Sequence, residues 1–380
     1  MNDEAEGTRK IVLLGADYLP SRGGTTTQTK LHALEFLSRG WDVTVLTRRV
    51  PNCLKREQID GIAVRRVGLP GRGRMAKGIQ LFASWTWLLF RRRSVTALNV
   101  MLDADFALAA LAAGLGSSTV LTWVTRGDAT RQFGGRIGQL RRRLLRDCKQ
   151  VVLTSRMENE LLEIGISEVN IIPIPVDTKH FRKPSEDERS SARKMLGIRE
   201  EMVVLYVGHL QKRKGVDLLI RAFALLREAG LSAQLVLVGE PIDAADREYA
   251  ESLEQIVIAN GLEKSVQFVG AQDDVAPYMF AADVFCLPSH REGMPNVLLE
   301  AMACGTACVA PASAGGDELL VDGLGIVPPS NSPADLSAAL IAVLNDREVR
   351  EALGERAANR VRGAFRPADI ATAYEDLFLA

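Results

Sequence analysis

The sequence predicts an α/β protein of two domains, each a doubly wound, Rossmann-like parallel sheet covered by helices. Three observations predict it. Short apolar runs, among them IVLLGADYLP (11–20), MVVLYVG (202–208), AQLVLVGE (233–240) and DVFCLP (283–288), alternate with helix-length stretches, which is the rhythm of βαβ units around a buried parallel sheet. A chain of 380 residues, 47% hydrophobic and 25% charged, has enough apolar material for two cores of ordinary globular type. Charge then divides the chain: residues 1–175 hold 26 Lys+Arg against 16 Asp+Glu, or +10, and residues 176–380 hold 21 against 31, or −10.

That asymmetry gives the halves different partners. The basic first half suits anionic lipid or a charged acceptor, while nucleic acid is disfavoured because no recognition motif or aromatic–basic interleaving accompanies the charge. Five cysteines (53, 148, 286, 304, 308) lack metal-ligand spacing, and three lie in apolar runs, so buried free thiols in a reducing, cytoplasmic compartment are expected. The opening MNDEAEGTRK is polar and acidic, unlike a secretory signal, and the longest apolar stretches (79–90 and 106–116) are too short to span a bilayer.

Taken in order, the strand at 11–20 leads through SRGGTTTQ into a helix at 29–40 and a strand at 41–48. Gly23 and Gly24 at the mouth of that loop let backbone approach a ligand, but G-x-G-x-x-G is absent, which weakens a dehydrogenase reading. After a short strand at 62–68, IQLFASWTWLLFRRR (79–93) is an apolar helix ending in three arginines. A core helix with its arginines at the negative end of the dipole is the expected reading; the rival is a membrane-surface helix with Trp85, Trp87 and Phe90 at the headgroups. Asp103-Ala104-Asp105 has the look of a metal-diphosphate triplet, yet an alanine-rich helix follows, so capping explains it better. The basic helix at 139–149 reads as a solvated face. The stretch 171–181 reads as a linker, continued by a charged run at 182–194 into a second domain that begins at the strand 202–208.

PSHREGMPNVLLEAMACG (288–305) holds the chemistry. A strand ends at Pro288, a loop carries Glu292 and Gly293, and a helix follows, with free amides expected from about Asn296 to Leu298. Unpaired amides and the dipole make such an N-terminus an anion site. Glu292 and Glu300 flank it, and carboxylates beside a phosphate site are suited to accepting hydrogen bonds from hydroxyls of a sugar or ribose. A basic turn after the strand 202–208, holding His209, Lys212, Arg213 and Lys214, adds cations that would neutralise a diphosphate leaving group.

Glu-x7-Glu embedded in this sequence resembles the donor-binding motif of the retaining glycosyltransferases of family 4, whose GT-B fold sets two Rossmann-like domains facing across a cleft. The resemblance covers the whole chain and is strongest over 202–320. It implies domains of 1–175, with the C-terminal helix 365–380 crossing back, and 176–364. It implies that Glu292 lies by the transferred sugar, that Glu300 holds the ribose, and that the amides of Asn296, Val297 and Leu298, with Gly293 and Met294 in the same loop, hold the diphosphate. Lys214 matches the family's G-R-L-x-x-x-K-G pattern, whereas His209 stands where the family has arginine, with Arg213 available to compensate. Gly239 and Val269 resemble segments that wall the nucleotide base, and Gly24 faces donor phosphate. Gly23, Arg126 and Asp128 fall on the acceptor side, where relatives often place a histidine and this chain has Arg126.

The implied activity is metal-independent transfer, without a cofactor, of a sugar from a nucleoside diphosphate donor (UDP or GDP) to a hydroxyl of a glycan, lipid-linked or small-molecule acceptor, with retained configuration. Bacterial surface polysaccharide or glycoconjugate synthesis suits the basic first half, as does a peripheral position on the cytoplasmic membrane face. Two alternatives stay open: a sugar-nucleotide 2-epimerase of the same fold, and a non-catalytic nucleotide-sugar-binding protein, the latter suggested by His209, Arg126 and Ile174-Pro175.

Overall fold

A computed structural model describes residues 9–21, 23–71, 73–101, 103–146, 148–198 and 202–380; the polar residues 1–8, read above as no leader, lie outside them. The chain forms two compact units, Val176–Arg366 and a unit of Met1–Pro175 with Pro367–Ala380.

The first unit runs β1 (Lys10–Leu14), α1 (Gly24–Ser38), β2 (Asp42–Arg48), β3 (Arg56–Ile59), β4 (Ile62–Val67), α2 (Arg74–Arg91), β5 (Ala97–Met101), α3 (Ala104–Ala112), β6 (Thr119–Trp123), α4 (Asp128–Phe133), α5 (Gly135–Leu144), β7 (Lys149–Val152), α6 (Ser155–Glu163) and β8 (Val169–Ile171). Its sheet has the order β3-β4-β2-β1-β5-β6-β7-β8 and is parallel except for β3, which pairs antiparallel with β4 as a hairpin at the edge. Sequence reading missed β3 because REQI has a single apolar residue, Ile59, and none of its four residues is fully buried.

The second unit continues with α7 (Glu186–Met195), β9 (Met202–Val207), α8 (Val216–Glu228), β10 (Ala233–Val238), α9 (Ala244–Ala259), β11 (Val266–Gly270), α10 (Ala276–Ala281), β12 (Val284–Cys286), α11 (Asn296–Ala303), β13 (Ala307–Val309), α12 (Gly316–Leu319), α13 (Pro333–Asn345) and α14 (Arg347–Ala364). Its sheet, in the order β11-β10-β9-β12-β13, is parallel throughout. The charged run expected to be linker is the helix α7. Ser185 and Glu188 close a capping box at its start, and Arg189 and Arg193 reach Asp283 at 2.6 and 2.5 Å. Buried ion pairing, not apolar periodicity, docks this helix, which is why its sequence looks solvated.

The last helix, α15 (Pro367–Leu379), belongs to the first unit. Tyr374 and Phe378 enter a core with Ile11, Phe36 and Trp41. Glu375 receives hydrogen bonds from Trp41 Nε1 and Arg39 Nη1, both at 2.6 Å. Tyr374 also sits edge-on to His32, whose complete burial holds its pKa down at about 4 and hence the ring neutral.

Two helices depart from expectation. On α2, read as a core helix, Gln80 and Ser84 point inward with Leu88, while Met75, Phe82 and Phe90 are 76%, 65% and 85% exposed. On α5, read as a solvated face, Ile137, Leu140 and Leu144 stand exposed among arginines. Four of the cysteines are buried, Cys53 is half-buried, and all five are free thiols. No helix among the described residues is long and apolar enough to cross a membrane.

Candidate active site

Because the second sheet is parallel, the carboxyl ends of β9, β10, β11 and β12 open on one edge, where ligands of open α/β sheets bind. Backbones converge tightly there. Gly208 N donates to Val238 O and Gly239 N to Gly270 O, each at 2.9 Å, and a Cβ on Gly239 would stand 1.9 Å from Gly208 O. Glycine is therefore the only residue that fits at 239. Gly239 and Val269, expected to wall a base, thus stand at neighbouring strand ends.

The basic turn is brought in by Gly215. Its φ is +66°, and its missing Cβ would lie 2.3 Å from Pro288 O, so the turn Lys212–Lys214 rests directly against the end of β12. His290 N donates to Arg213 O at 2.8 Å across the same seam. Lys214 Nζ then sits 2.6 Å from Glu292 Oε1, and Arg213 Nη1 lies 3.4 Å from that oxygen. Burial pulls the Lys214 pKa below the ordinary lysine value and the Arg213 cation adds to this, while Glu292 opposes it. The His209 pKa is also held below its ordinary value, because the ring is half-buried and faces Lys214 and Arg213; its bond to the Glu240 backbone works the other way. Its carbonyl accepts from Tyr206 Oη at 2.9 Å, which fixes the turn's first residue.

Glu292 is held from a third side. Its amide donates to Ser313 O at 3.0 Å, and Ser313 Oγ donates to Ser289 O at 2.7 Å. Asn331 Nδ2 donates to Pro288 O at 2.6 Å. Ser313, Asn331 and Gly215 are the supports that sequence reasoning missed; the Gly315-Gly316 pair was the visible signal, since a Cβ on Gly316 would meet Ala310 O at 2.0 Å. Gly293 and Met294 are buried in the same loop.

The helix N-terminus differs in detail from expectation. Pro295 precedes α11 and supplies no side-chain cap, but its carbonyl accepts from Leu298 N at 3.2 Å. The Leu298 amide is consequently engaged in the first turn and not free, while Val297 N–H has no acceptor among the described residues. Asn296 opens the helix beside it. Glu300, one turn further, is 9% exposed and pairs with no cation among the described residues. Burial raises its pKa to about 7.

The first-unit candidates stand apart from this cluster in sequence. Gly23 and Gly24 begin α1 beyond the end of β1, and a Cβ on Gly23 would meet open space. Arg126 Nε lies 3.4 Å from Glu160 Oε1, and Gly127 N donates to Glu160 Oε2 at 2.8 Å. Asp128 Oδ1 accepts from Arg131 Nη2 at 2.9 Å. Asp103 accepts from Asp105 N at 3.0 Å as a cap, and both carboxylates are met by Lys77 at 2.8 and 3.0 Å.

Comparison with known proteins places the chain among glycosyltransferases. A family model described as "Glycosyl transferases group 1" matches residues 188–360, and one described as "Glycosyl transferase 4-like domain" matches residues 23–177; between them they take in most of the chain. A D-inositol 3-phosphate glycosyltransferase of Kineococcus radiotolerans is 32% identical over 258 residues, which are 63% of this chain and 59% of that one. The chain spans about half the length of the curated relatives it matches. Among solved structures, sucrose-phosphate synthase from Thermosynechococcus elongatus superposes with a TM-score of 0.79 at 24% identity, covering 97% of this chain and 98% of that one. Anabaena HepE, solved with UDP and glucose, gives a TM-score of 0.79 at 18% identity over 98% and 100%. The fold is GT-B.

Proposed function

We propose that this chain, which belongs to the glycosyltransferases of family 4, transfers a sugar from a nucleoside diphosphate donor to an acceptor hydroxyl with retention of configuration and without a metal. The observation that carries the reading is the convergence of Lys214 and Arg213 on Glu292 beside the N-terminus of α11, with the cation-free carboxyl of Glu300 one turn along it. Lys214 and Arg213 stabilise the charge that develops on the departing diphosphate, because fixed cations in a half-buried site act where the leaving group forms. The Val297 amide and the positive end of α11 add to this, and Asn296 opens the same turn.

Glu300 accepts hydrogen bonds from ribose hydroxyls, a task suited to a carboxylate with no competing cation. Glu292, held in place by Lys214 and Ser313, lies by the sugar and balances its oxocarbenium-like charge. The leaving phosphate takes the acceptor proton, so no histidine base is required. Gly24 serves the donor phosphate, and Gly23, Arg126 and Asp128 serve the acceptor. The relatives' printed substrates, inositol phosphate in one case and UDP with glucose in another, support a nucleotide-sugar donor and a hydroxyl-bearing acceptor.

Titration of the purified protein with UDP, GDP and ADP, with and without Mg²⁺, tests the donor half. One nucleotide raises the unfolding temperature without Mg²⁺, and Glu300→Ala removes the shift. A failure of every nucleotide to bind overturns the reading. The anomeric configuration of the product, read by NMR, tests retention.

A further inference from the structure

The helix α2 buries Gln80 and Ser84 beside Leu88 and leaves several large apolar residues exposed. A helix on a sheet ordinarily buries its apolar stripe and shows water its polar one. Here Gln80 and Ser84 are 4% and 0% exposed, and Gln80 Nε2, Ser84 Oγ and the neighbouring Trp85 Nε1 are buried with no hydrogen-bond partner among the described residues. Meanwhile Met75, Ile79, Phe82 and Phe90 face outward. Exchanging those two faces would spare buried polar groups their cost and hide large apolar ones, so folding stability alone does not account for the arrangement.

The second helix repeats the pattern. Ile137, at 72% exposed, and Leu140, at 57%, project from α5. Of the 18 large hydrophobic residues exposed among the described residues, seven lie on these two helices. One carboxylate braces both: Lys77 of α2 lies 3.0 Å from Asp105, and Arg141 of α5 lies 2.6 Å from it. Neither α2, the turn that follows it, nor α5 contains a single Asp or Glu. Arg91, Arg92, Arg93, Arg136 and Arg143 are exposed beside the apolar residues, with the Arg91 guanidinium 4.7 Å from the Trp87 ring centre.

We infer that the outer faces of α2 and α5 form one docking surface for an anionic lipid bilayer, on which the protein lies without crossing. Apolar side chains ringed by arginines meet the hydrocarbon boundary and the headgroups respectively. Charge complementarity selects the occupant. A second copy would oppose arginines to arginines with no carboxylate on either helix to compensate, whereas an anionic leaflet supplies negative charge across the whole face. Nor does a bilayer demand the shaped groove that a peptide would need. The surface stands independently of the transferase reading, since vesicle binding requires no donor.

Co-sedimentation of the full chain with phosphatidylcholine vesicles, with and without about 30% phosphatidylglycerol, tests it. Each basic residue at an anionic surface is worth about fivefold in partition. Wild type is expected to sediment with the anionic vesicles only, and less so at high salt. Phe82→Ser with Phe90→Ser, and separately Arg91→Glu with Arg93→Glu, each lower partition at least tenfold with an unchanged unfolding temperature. Ile258→Ser, which removes an exposed apolar residue of the second unit, leaves partition unchanged. Equal binding to both vesicle types, no binding, or full binding by either double variant overturns the inference. So does a wild-type dimer in lipid-free solution that the Phe82/Phe90 variant converts to monomer, which would assign the face to a second copy.

Discussion

Lys214 Nζ and Glu292 Oε1, 78 residues apart in sequence, meet at 2.6 Å with both side chains only 12% exposed. This bond joins the turn after β9 to the loop after β12 and places a cation and a carboxylate side by side at the sheet edge. If the cation stabilises the departing diphosphate, Lys214→Ala lowers kcat by about 10²–10³, the usual cost of removing one such group. Glu292→Gln lowers turnover while nucleotide binding persists. Initial rates with the donor identified by titration, alongside calorimetric binding of its nucleoside diphosphate, check both; unchanged kcat in Lys214→Ala would remove that residue from the mechanism.

Glu300 makes stability fall as pH rises. Burial raises its folded-state pKa from 4.5 to about 7, so between those values the unfolded chain releases a proton that the native state keeps. Fully expressed above pH 7, the difference is worth about 3 kcal/mol against folding, and it vanishes below about pH 4.5. Glu300→Gln lacks this component, so its stability relative to wild type grows across that window. Ribose hydroxyls donating to the carboxylate favour its charged form, so nucleotide affinity rises with pH through about 7 in wild type and is flat in Glu300→Gln. Denaturant unfolding and nucleotide titration at pH 5, 6, 7 and 8 measure the two effects.

Two glycines with the same backbone conformation respond differently to alanine. Gly215 and Gly261 have φ of +66° and +63°, but a Cβ on Gly215 would lie 2.3 Å from Pro288 O whereas one on Gly261 meets nothing within 4 Å. Gly261→Ala costs about 1 kcal/mol for the left-handed conformation alone. Gly215→Ala costs more than about 3 kcal/mol, because a backbone carbonyl must move as well, and it carries the Lys214 turn away from Glu292. Calorimetric unfolding of both variants separates conformational strain from collision.

Asp283 anchors α7. Its carboxylate is met by Arg189, Arg193 and the Val203 amide at 2.6, 2.5 and 2.7 Å. Asp283→Ala removes the carboxylate from two guanidinium groups that keep their bonds to Ala282 O and Ala281 O; the arginine side chains are 29% and 24% exposed, so the expected loss is about 2–3 kcal/mol, below that of a fully buried pair. Urea unfolding of this variant beside Asp187→Ala, on the exposed side of the same helix, checks it.

Much of the second unit was legible in the sequence. β9, β10 and β12 are short, almost wholly buried strands, so each is a largely apolar run with a turn at its end. Glu292, Gly293 and Glu300 were legible because their spacing on one loop and one helix is a local property. Two local features escaped. Leu298 N was expected to be free and is engaged by Pro295 O, a choice made by the local bend of the first turn. The strand β3 escaped because a hairpin edge needs only one buried face.

The sequence by itself determined the alternation of strands and helices, the division of charge between the halves and the identity of the acidic and basic residues at the second sheet's carboxyl edge. Those follow from periodicity and composition, which are written along the chain. Only the tertiary structure decided that Gly215 presses against Pro288, that Ser313 and Asn331 hold the Glu292 loop, that α7 is docked by Asp283, and that α2 turns its aromatic face outward. The first three are contacts between residues far apart in sequence, and for α2 the hydrophobic pattern of a single segment, being non-directional, cannot state which of its faces the rest of the fold will cover.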